Sequence, residues 1–277
     1  MKYATFIISY KRPTNQKTLD YILSAGYSGT WYIVVDDRDP TIEEYKALYA
    51  DHILVFSKEE MLKITDNPIY PPELNFAVYA RNACEQFANK LELDSFIVLD
   101  DDIKSFSLRY DEDGFLRNRK LVNNITEIFE NILLYMLEAN VSCASSGYQN
   151  IYWGGVEKFT ERDLKDSLRL PIEAYFRNNS FKVNWVNLMG EDLASGVKYG
   201  REGQVWLMLP FLQVVMPPCL KLTEEGGHTD TYRKYSDIGL NVFFKIWQPN
   251  AFTVFLKGDQ WCHSVRKDYA VPKIVRS

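Results

Sequence analysis

Three consecutive carboxylates, Asp100, Asp101 and Asp102, close the short apolar run Phe96-Ile97-Val98-Leu99. A continuous run of that length reads as a strand buried on both faces, as in a parallel sheet. In open α/β sheets, ligands bind just past the carboxyl ends of the strands. Three acids there repel one another and lose hydration. A hard divalent cation relieves both costs, and its usual ligands are carboxylate oxygens and substrate phosphates. Asp100 and Asp102 are two residues apart, so they project to the same side of an extended chain. The chemistry expected of them is a metal–diphosphate site; the bland alternative is a solvated acidic turn. A second apolar run, Trp31 to Val35, also ends in acids, Asp36 and Asp37.

These acids need a scaffold, and the surrounding pattern supplies one. Tyr3 to Ile8 reads as a first buried strand, broken at Ser9-Tyr10-Lys11-Arg12-Pro13. Pro13-Thr14-Asn15 reads as a helix start, continued by Thr18 to Ala25. After the Trp31 strand, Asp39 or Thr41 can cap a helix running to Tyr49, and Ile53 to Phe56 is a third strand. Strand–helix alternation implies right-handed crossovers and a parallel sheet. Asn75 to Asn89 carries Phe76, Ala80, Ala83, Cys84 and Phe87 as a helical stripe, with Arg81 beside it. Lys104 to Leu108 and Phe115 to Leu116 read as a hairpin around Asp111-Glu112-Asp113-Gly114. Ile125, Ile128, Phe129, Ile132, Leu133 and Met136 form a second helical stripe. Val141 to Ala144 reads as a strand followed by a loop, Ser145-Ser146-Gly147. Lys182 to Leu188 reads as a strand ending at Met189-Gly190-Glu191-Asp192, with a helix from Leu193, and Arg233 to Lys245 as a further helix. The expectation is one compact α/β domain with a mostly parallel sheet flanked by helices. It divides into a nucleotide half, about residues 1–110, and an acceptor half, about 111–277.

Composition narrows the class. Of 277 residues, 46% are hydrophobic and 25% charged, which is ordinary for a globular protein. Cys84, Cys143, Cys219 and Cys262 form no Cys-x-x-Cys pair, so neither a zinc site nor a disulfide framework is expected. Met1-Lys2 runs straight into the first strand without the layout of a signal peptide, and the apolar stretch Val205 to Met216 is too short to cross a bilayer. A cytoplasmic protein with no membrane partner is expected. The net charge of −5 excludes a protein that coats DNA by charge alone. Nucleic-acid contact would need local clusters: Arg117, Arg119 and Lys120; Arg233 and Lys234; or Arg266, Lys267, Lys273 and Arg276. The bland reading of each is a solvated face.

Taken together, the Ser9-Tyr10-Lys11-Arg12-Pro13 break, the Asp36-Asp37 strand end, the Ala80-Arg81-Asn82 helix before the Asp triplet, and Gly190-Glu191-Asp192 resemble the GT-A (Rossmann-like) class of nucleotide-sugar glycosyltransferases. More narrowly, the chain resembles the phage glycosyltransferases that decorate 5-hydroxymethylpyrimidines in phage DNA, including those called TET-associated. The resemblance implies that Ser9 and Tyr10 line the nucleotide pocket with Arg12 near it. It implies that Asp36 or Asp37 accepts from the uracil edge and that Arg81 lies near the diphosphate or nucleoside. Asp100 and Asp102 match the Asp-x-Asp pair, one touching the ribose and the other Mn2+ or Mg2+, with Asp101 an extra acid between them. Asp192, with Glu191 beside it, matches the acidic pair facing the acceptor hydroxyl. A late histidine completes the metal shell in this class; His263 fits best and His228 is its rival. The donor implied is a UDP-sugar, the acceptor phage DNA bearing a hydroxymethylated pyrimidine, and the location the host cytoplasm. Proton removal by Asp192 is an inverting role; in a retaining enzyme the same acid has another job. Three other readings use the same residues: a GT-A enzyme acting on a glycan or lipid-linked acceptor, a non-catalytic nucleotide-sugar-binding module, and a metal-dependent nuclease or nucleotidyltransferase.

Overall fold

A computed structural model describes residues 1–66, 76–110, 118–148, 174–188, 190–216, 248–258 and 260–266. The first part of the chain alternates strands and helices: β1 (Tyr3–Ile8), α1 (Lys17–Ser24), β2 (Trp31–Asp36), α2 (Ile42–Tyr49), β3 (Ile53–Phe56), α3 (Lys58–Ile64), α4 (Ala77–Lys90) and β4 (Ser95–Asp100). There follow β5 (Ser105–Tyr110), β6 (Asn118–Leu121), α5 (Ile125–Glu138), β7 (Cys143–Tyr148), β8 (Tyr175–Asn178), α6 (Glu191–Arg201), β9 (Trp206–Val215), β10 (Phe252–Lys257) and β11 (Gln260–Val265).

Nine strands form one sheet in the order β3-β2-β1-β4-β8-β7-β9-β5-β6, and β10-β11 form a separate hairpin. β1 lies parallel between β2 and β4, with Ile8 opposite Asp100. That register puts the loop after β1 beside the acidic end of β4. The second half is mixed: β8 is antiparallel to β4 and to β7, while β7 and β9 run parallel. The parallel half stands as the sequence leads one to expect.

Side-chain alternation distributes the sheet between two cores. Ile7, Ile33, Val35, Ile97 and Leu99 join Leu19 and Ile22 of α1, Tyr45 of α2 and the α5 stripe. Ala4, Phe6, Ile8, Val34, Phe96 and Val98 join Met61 of α3 and Val78, Ala83 and Cys84 of α4. Each fully buried Phe, Ile or Leu contributes about 1.5–3 kcal/mol relative to exposure. A third, small cluster joins Ala194 and Val197 of α6 to Phe252 and Val265 of the hairpin. A buried guanidinium fastens β8 to α4: Arg177 Nε donates to Glu85 Oε1 at 2.8 Å, and Trp185 Nε1 donates to the same oxygen at 3.1 Å.

Several expected elements differ. Residues 182–188 are irregular rather than a strand, because side chains satisfy their backbone in place of a neighbouring strand. The Tyr199 hydroxyl contacts both N–H and C=O of Asn184, Asn82 Oδ1 accepts from Trp185 N–H, and Ser195 Oγ accepts from Val186 N–H. Ser145-Ser146-Gly147 is not a loop but the middle of β7, buried between β8 and β9. The register of β7 against β9 jumps between Ser146 and Gly147, from Leu209 to Gln213. That bulge accommodates Pro210, which has no N–H for a regular ladder. The first helix begins at Lys17 rather than at Pro13, β6 occupies 118–121, and the strand expected at 115–116 lies outside the described residues. The Asp-Gly turn at 111–114 and the helix expected over 233–245 lie outside the described residues.

Candidate active site

The acidic triplet divides into two roles. Asp101 turns inward and is buried. It accepts from Ser9 Oγ at 2.6 Å and from Arg12 Nη1 at 2.8 Å. Ser9 Oγ also meets the Tyr45 hydroxyl at 2.7 Å, and Gln16 Nε2 donates to Ser9 Oγ and to the Arg12 carbonyl, both at 2.8 Å. Lys11, at φ +56°, donates its N–H to Asp39. The loop after β1 is thus tied to the centre of the triplet, not open around it.

Asp100 and Asp102 keep 29% and 27% of their side-chain surface exposed. Burial, followed by the charges of Asp100 and Asp101, pushes the Asp102 carboxyl up to about 7; Arg12 and Lys17 pull it back. A half-buried acid with a raised pKa, beside a second half-buried carboxylate, fits a divalent cation in its oxygen donors and in the repulsion a cation would remove. Asp100, at the end of β4, is met by Arg81 Nη2 at 3.3 Å.

Arg81 is the link between the two acidic motifs. It is buried on α4, with its guanidinium 4.8 Å from the Tyr175 ring and 5.6 Å from that of Trp185. Its Nη1 pairs with Glu191 Oε1. Gly190, at φ +66°, turns the chain into α6 so that Glu191 and Asp192 are its first residues. Asp192 Oδ1 accepts its neighbour Leu193 N–H at 2.8 Å. Burial raises the Asp192 carboxyl, Arg81 opposes that, and Asp100 reinforces it. The structure therefore brings Asp100, Arg81, Glu191 and Asp192 together.

At the end of β2, Asp36 is buried and engaged. Lys58 Nζ lies 3.2 Å from its Oδ2, and Arg38 N–H donates to Oδ1. Burial raises the Asp36 carboxyl and lowers the Lys58 ammonium, which also stands 4.0 Å from the Tyr79 ring centroid. Asp37 is exposed, accepts from Lys58 N–H at 3.0 Å, and is the acid of the pair open to a ligand. Tyr10 is half-buried, with Lys11 Nζ 5.2 Å from its ring. Sequence reasoning passed over Tyr45, Gln16, Lys58, Tyr175, Trp185 and Thr18, whose hydroxyl donates to the Asp100 carbonyl, all of which hold site residues in place; α2 and α3 gave no periodic signal that marks a buried polar tip.

His263 sits on β11 opposite Val254, its ring edge-on to Phe252 at 6.3 Å. Burial lowers its pKa. Among the described residues, no group of three or more His, Cys, Asp or Glu stands ready to hold a metal ion. His228 lies outside the described residues. His263→Ala is expected to remove about 1 kcal/mol of aromatic packing, lowering the metal-free melting temperature by roughly 2–4 °C, with manganese affinity unchanged. Calorimetry and metal titration check this; a weaker manganese affinity at unchanged stability makes His263 a ligand.

Of the basic clusters, Arg119 and Lys120 on β6 and Arg266 after β11 are exposed. Arg117, Arg233, Lys234, Lys267, Lys273 and Arg276 lie outside the described residues. Among the described residues, no helix is long and apolar enough to cross a membrane.

Comparison with known proteins completes the description. The family model described as TET-Associated Glycosyltransferase matches residues 3–216. No curated protein matches the chain. Solved structures with a similar fold include glucosyl-3-phosphoglycerate synthase from Mycobacterium tuberculosis in complex with Mg2+ and UDP, at 11% identity and a TM-score of 0.48, covering 96% of this chain and 87% of that one. The same enzyme in complex with Mn2+ and UDP-glucose aligns at 11% identity and a TM-score of 0.45, covering 96% and 86%.

Proposed function

This chain belongs to the TET-associated glycosyltransferase family, and we propose that it transfers a hexose or pentose from a UDP-sugar to the hydroxymethyl group of a modified pyrimidine in phage DNA. The observation that carries the site assignment is the Asp100–Arg81–Glu191 bridge, which sets a donor-side carboxylate beside the acceptor-side acid Asp192. The donor side is built by residues up to about 110 and the acceptor side by α6.

Asp100 and Asp102 are the residues that would hold Mn2+ or Mg2+. When bound, the cation supplies neutralisation of charge on the departing nucleoside diphosphate. Tyr10 and Asp37, at the surface beyond β1 and β2, take the base and its uracil edge, while Lys58 keeps Asp36 facing inward. Asp101 anchors the loop that carries Tyr10 and Arg12. Glu191 is matched by the Arg81 charge, which leaves Asp192 as the acid that works on the acceptor. The hydroxymethyl oxygen attacks the anomeric carbon, the bond from that carbon to the diphosphate breaks, and the hydroxyl proton passes to the Asp192 carboxylate. Burial, by raising the Asp192 pKa, makes that carboxylate a stronger base than an exposed one.

The test is mass spectrometry of nucleosides from DNA treated with a panel of UDP-sugars and manganese. The expected result is a hexose or pentose increment on 5-hydroxymethylcytosine or 5-hydroxymethyluracil, and none on plain DNA. Turnover of a glycan acceptor with no increment on modified DNA would replace the DNA reading.

A further inference from the structure

We infer that Thr18 of α1 is a positioning residue of the acidic turn, holding Asp100 and Asp102 rigidly enough to favour a small divalent cation over calcium. The inference rests on the metal assignment proposed above and adds the residue that sets its selectivity. β4 and β5 are joined by only residues 101–104 and are not neighbours in the sheet. The connecting backbone therefore has no strand ladder of its own, and its buried polar groups need other partners. Thr18 meets three of them. Its N–H donates to the Asp101 carbonyl at 3.1 Å. Its hydroxyl donates to the Asp100 carbonyl and accepts the Ile103 N–H at 2.9 Å. A single buried residue, 82 positions before Asp100, thus clasps the triplet from its first member to the residue just past its last.

Local structure explains why Thr18 is available for this. It is the second residue of α1, and the first N–H groups of a helix have no partner within it. With no helical turn before it, its hydroxyl has no intrahelical carbonyl four residues back to bond. Its β-branch restricts the side-chain torsion, which keeps the hydroxyl aimed. The same helix reaches further along the chain through Tyr21, whose hydroxyl donates toward the carbonyls of Phe106 at 3.1 Å and Val122 at 3.2 Å. Those two bonds lie beyond the triplet.

The clasp acts together with the bonds to the middle acid. The Asp101 side chain is held by Ser9 and Arg12 and its carbonyl by Thr18. The freedom left to Asp100 and Asp102 is chiefly that of their own side-chain torsions. Oxygen donors held at a set separation suit Mg2+, which demands near-ideal octahedral geometry at about 2.0–2.1 Å. Ca2+ takes about 6–8 oxygens at about 2.3–2.6 Å in a flexible shell. Loosening the turn therefore erodes the discrimination while both carboxylates are still present.

The experiment titrates manganese into the full chain with UDP present, reads free Mn2+ by electron paramagnetic resonance, and displaces it with Mg2+ or Ca2+. Thr18→Val removes the hydroxyl and keeps the volume. It is expected to weaken manganese affinity by about 10–100-fold, the usual cost of losing a group that orients metal ligands. It is also expected to lower the preference for Mg2+ over Ca2+ by at least about 3-fold. Thr18→Ser keeps the hydroxyl and should stay within about 3-fold of wild type in both readings. Tyr21→Phe, which removes bonds from the same helix outside the triplet, should leave both at wild-type values whatever it does to the metal-free melting temperature. If Thr18→Val does not fold, Thr18→Ala carries the same expectation. Wild-type affinity and preference in the hydroxyl-free variant overturn the clasp and leave Asp100 and Asp102 as the metal ligands. Equal weakening by Tyr21→Phe or by Thr18→Ser overturns it too, and an affinity loss with unchanged preference overturns the selectivity. Wild-type chain that binds no manganese fails the metal assignment itself, and the clasp with it.

Discussion

Asp102→Asn is expected to keep the fold and to lower manganese-dependent turnover by at least about 100-fold, in line with a metal worth several kcal/mol of transition-state stabilisation. The substitution keeps the shape of the side chain and removes one anionic oxygen donor. The same residue gives a pH signature. Its carboxyl rises from an ordinary value of 3.8 to about 7 in the folded chain. The folded protein therefore holds a proton there that the unfolded chain has released. The associated stability is fully present below about pH 4 and is lost as pH rises through 7, so the metal-free melting temperature should fall across that window. Asp102→Asn should flatten the fall. Manganese must displace that proton, so its apparent affinity should rise between about pH 6 and 8 in the wild type. Calorimetry and manganese titration at a series of pH values check both trends. Near-normal turnover with tight metal binding in the variant would remove Asp102 from the site.

Asp192→Asn should lower kcat by about 10²–10⁴, the usual contribution of a positioned base. UDP and manganese binding should be unaffected, because Asp100 and Asp102 are retained. In the wild type, burial raises the Asp192 carboxyl above the usual range. Activity should accordingly fall on the acid side as that carboxylate takes up a proton, at a higher pH than for an exposed aspartate. Steady-state rates on saturating acceptor, with donor affinity measured separately, distinguish this from a binding defect. A loss confined to donor affinity, with kcat intact, would make Asp192 a donor contact and move the proton elsewhere.

The residues that announce themselves in the sequence are those whose environment is set locally. β1, β2 and β4 are buried on both faces, so they read as apolar runs, and their acidic ends follow directly. The α4 and α5 stripes are legible for the same reason. The second half is hidden because tertiary context overrides local pattern. Ser145, Ser146 and Gly147 look like a loop and form the middle of a strand, since small side chains are what a strand enclosed by β8 and β9 accommodates. Val183, Trp185 and Leu188 look like a strand and lie in an irregular segment, since Asn82, Ser195 and Tyr199 take its hydrogen bonds. In the site, spacing leads one to expect Asp100 and Asp102 on one side of the chain. It does not tell that Asp101 is held by Ser9 and Arg12, which come from another strand end. Lys58 in Lys-Glu-Glu-Met-Leu-Lys resembles a solvated face, and only the packing of α3 on α4 reveals it as the partner of Asp36.

Strand order differs from chain order in a way that bears on how the protein is made. β4 and β5 are separated by only residues 101–104 in the chain, yet three strands, β8, β7 and β9, lie between them in the sheet. As the chain leaves the ribosome, the hairpin of β5 and β6 emerges long before its neighbour β9. Meanwhile β4, whose Phe96 to Leu99 are fully apolar, has one side with no partner until β8 appears. An apolar strand with an open edge invites pairing with another chain, and pairings between distant segments form slowly. The nascent protein therefore passes through a stage in which the first part of its sheet is shaped but sticky. That part cannot be lifted out as a module: the strand that presents the acids is the one left uncovered.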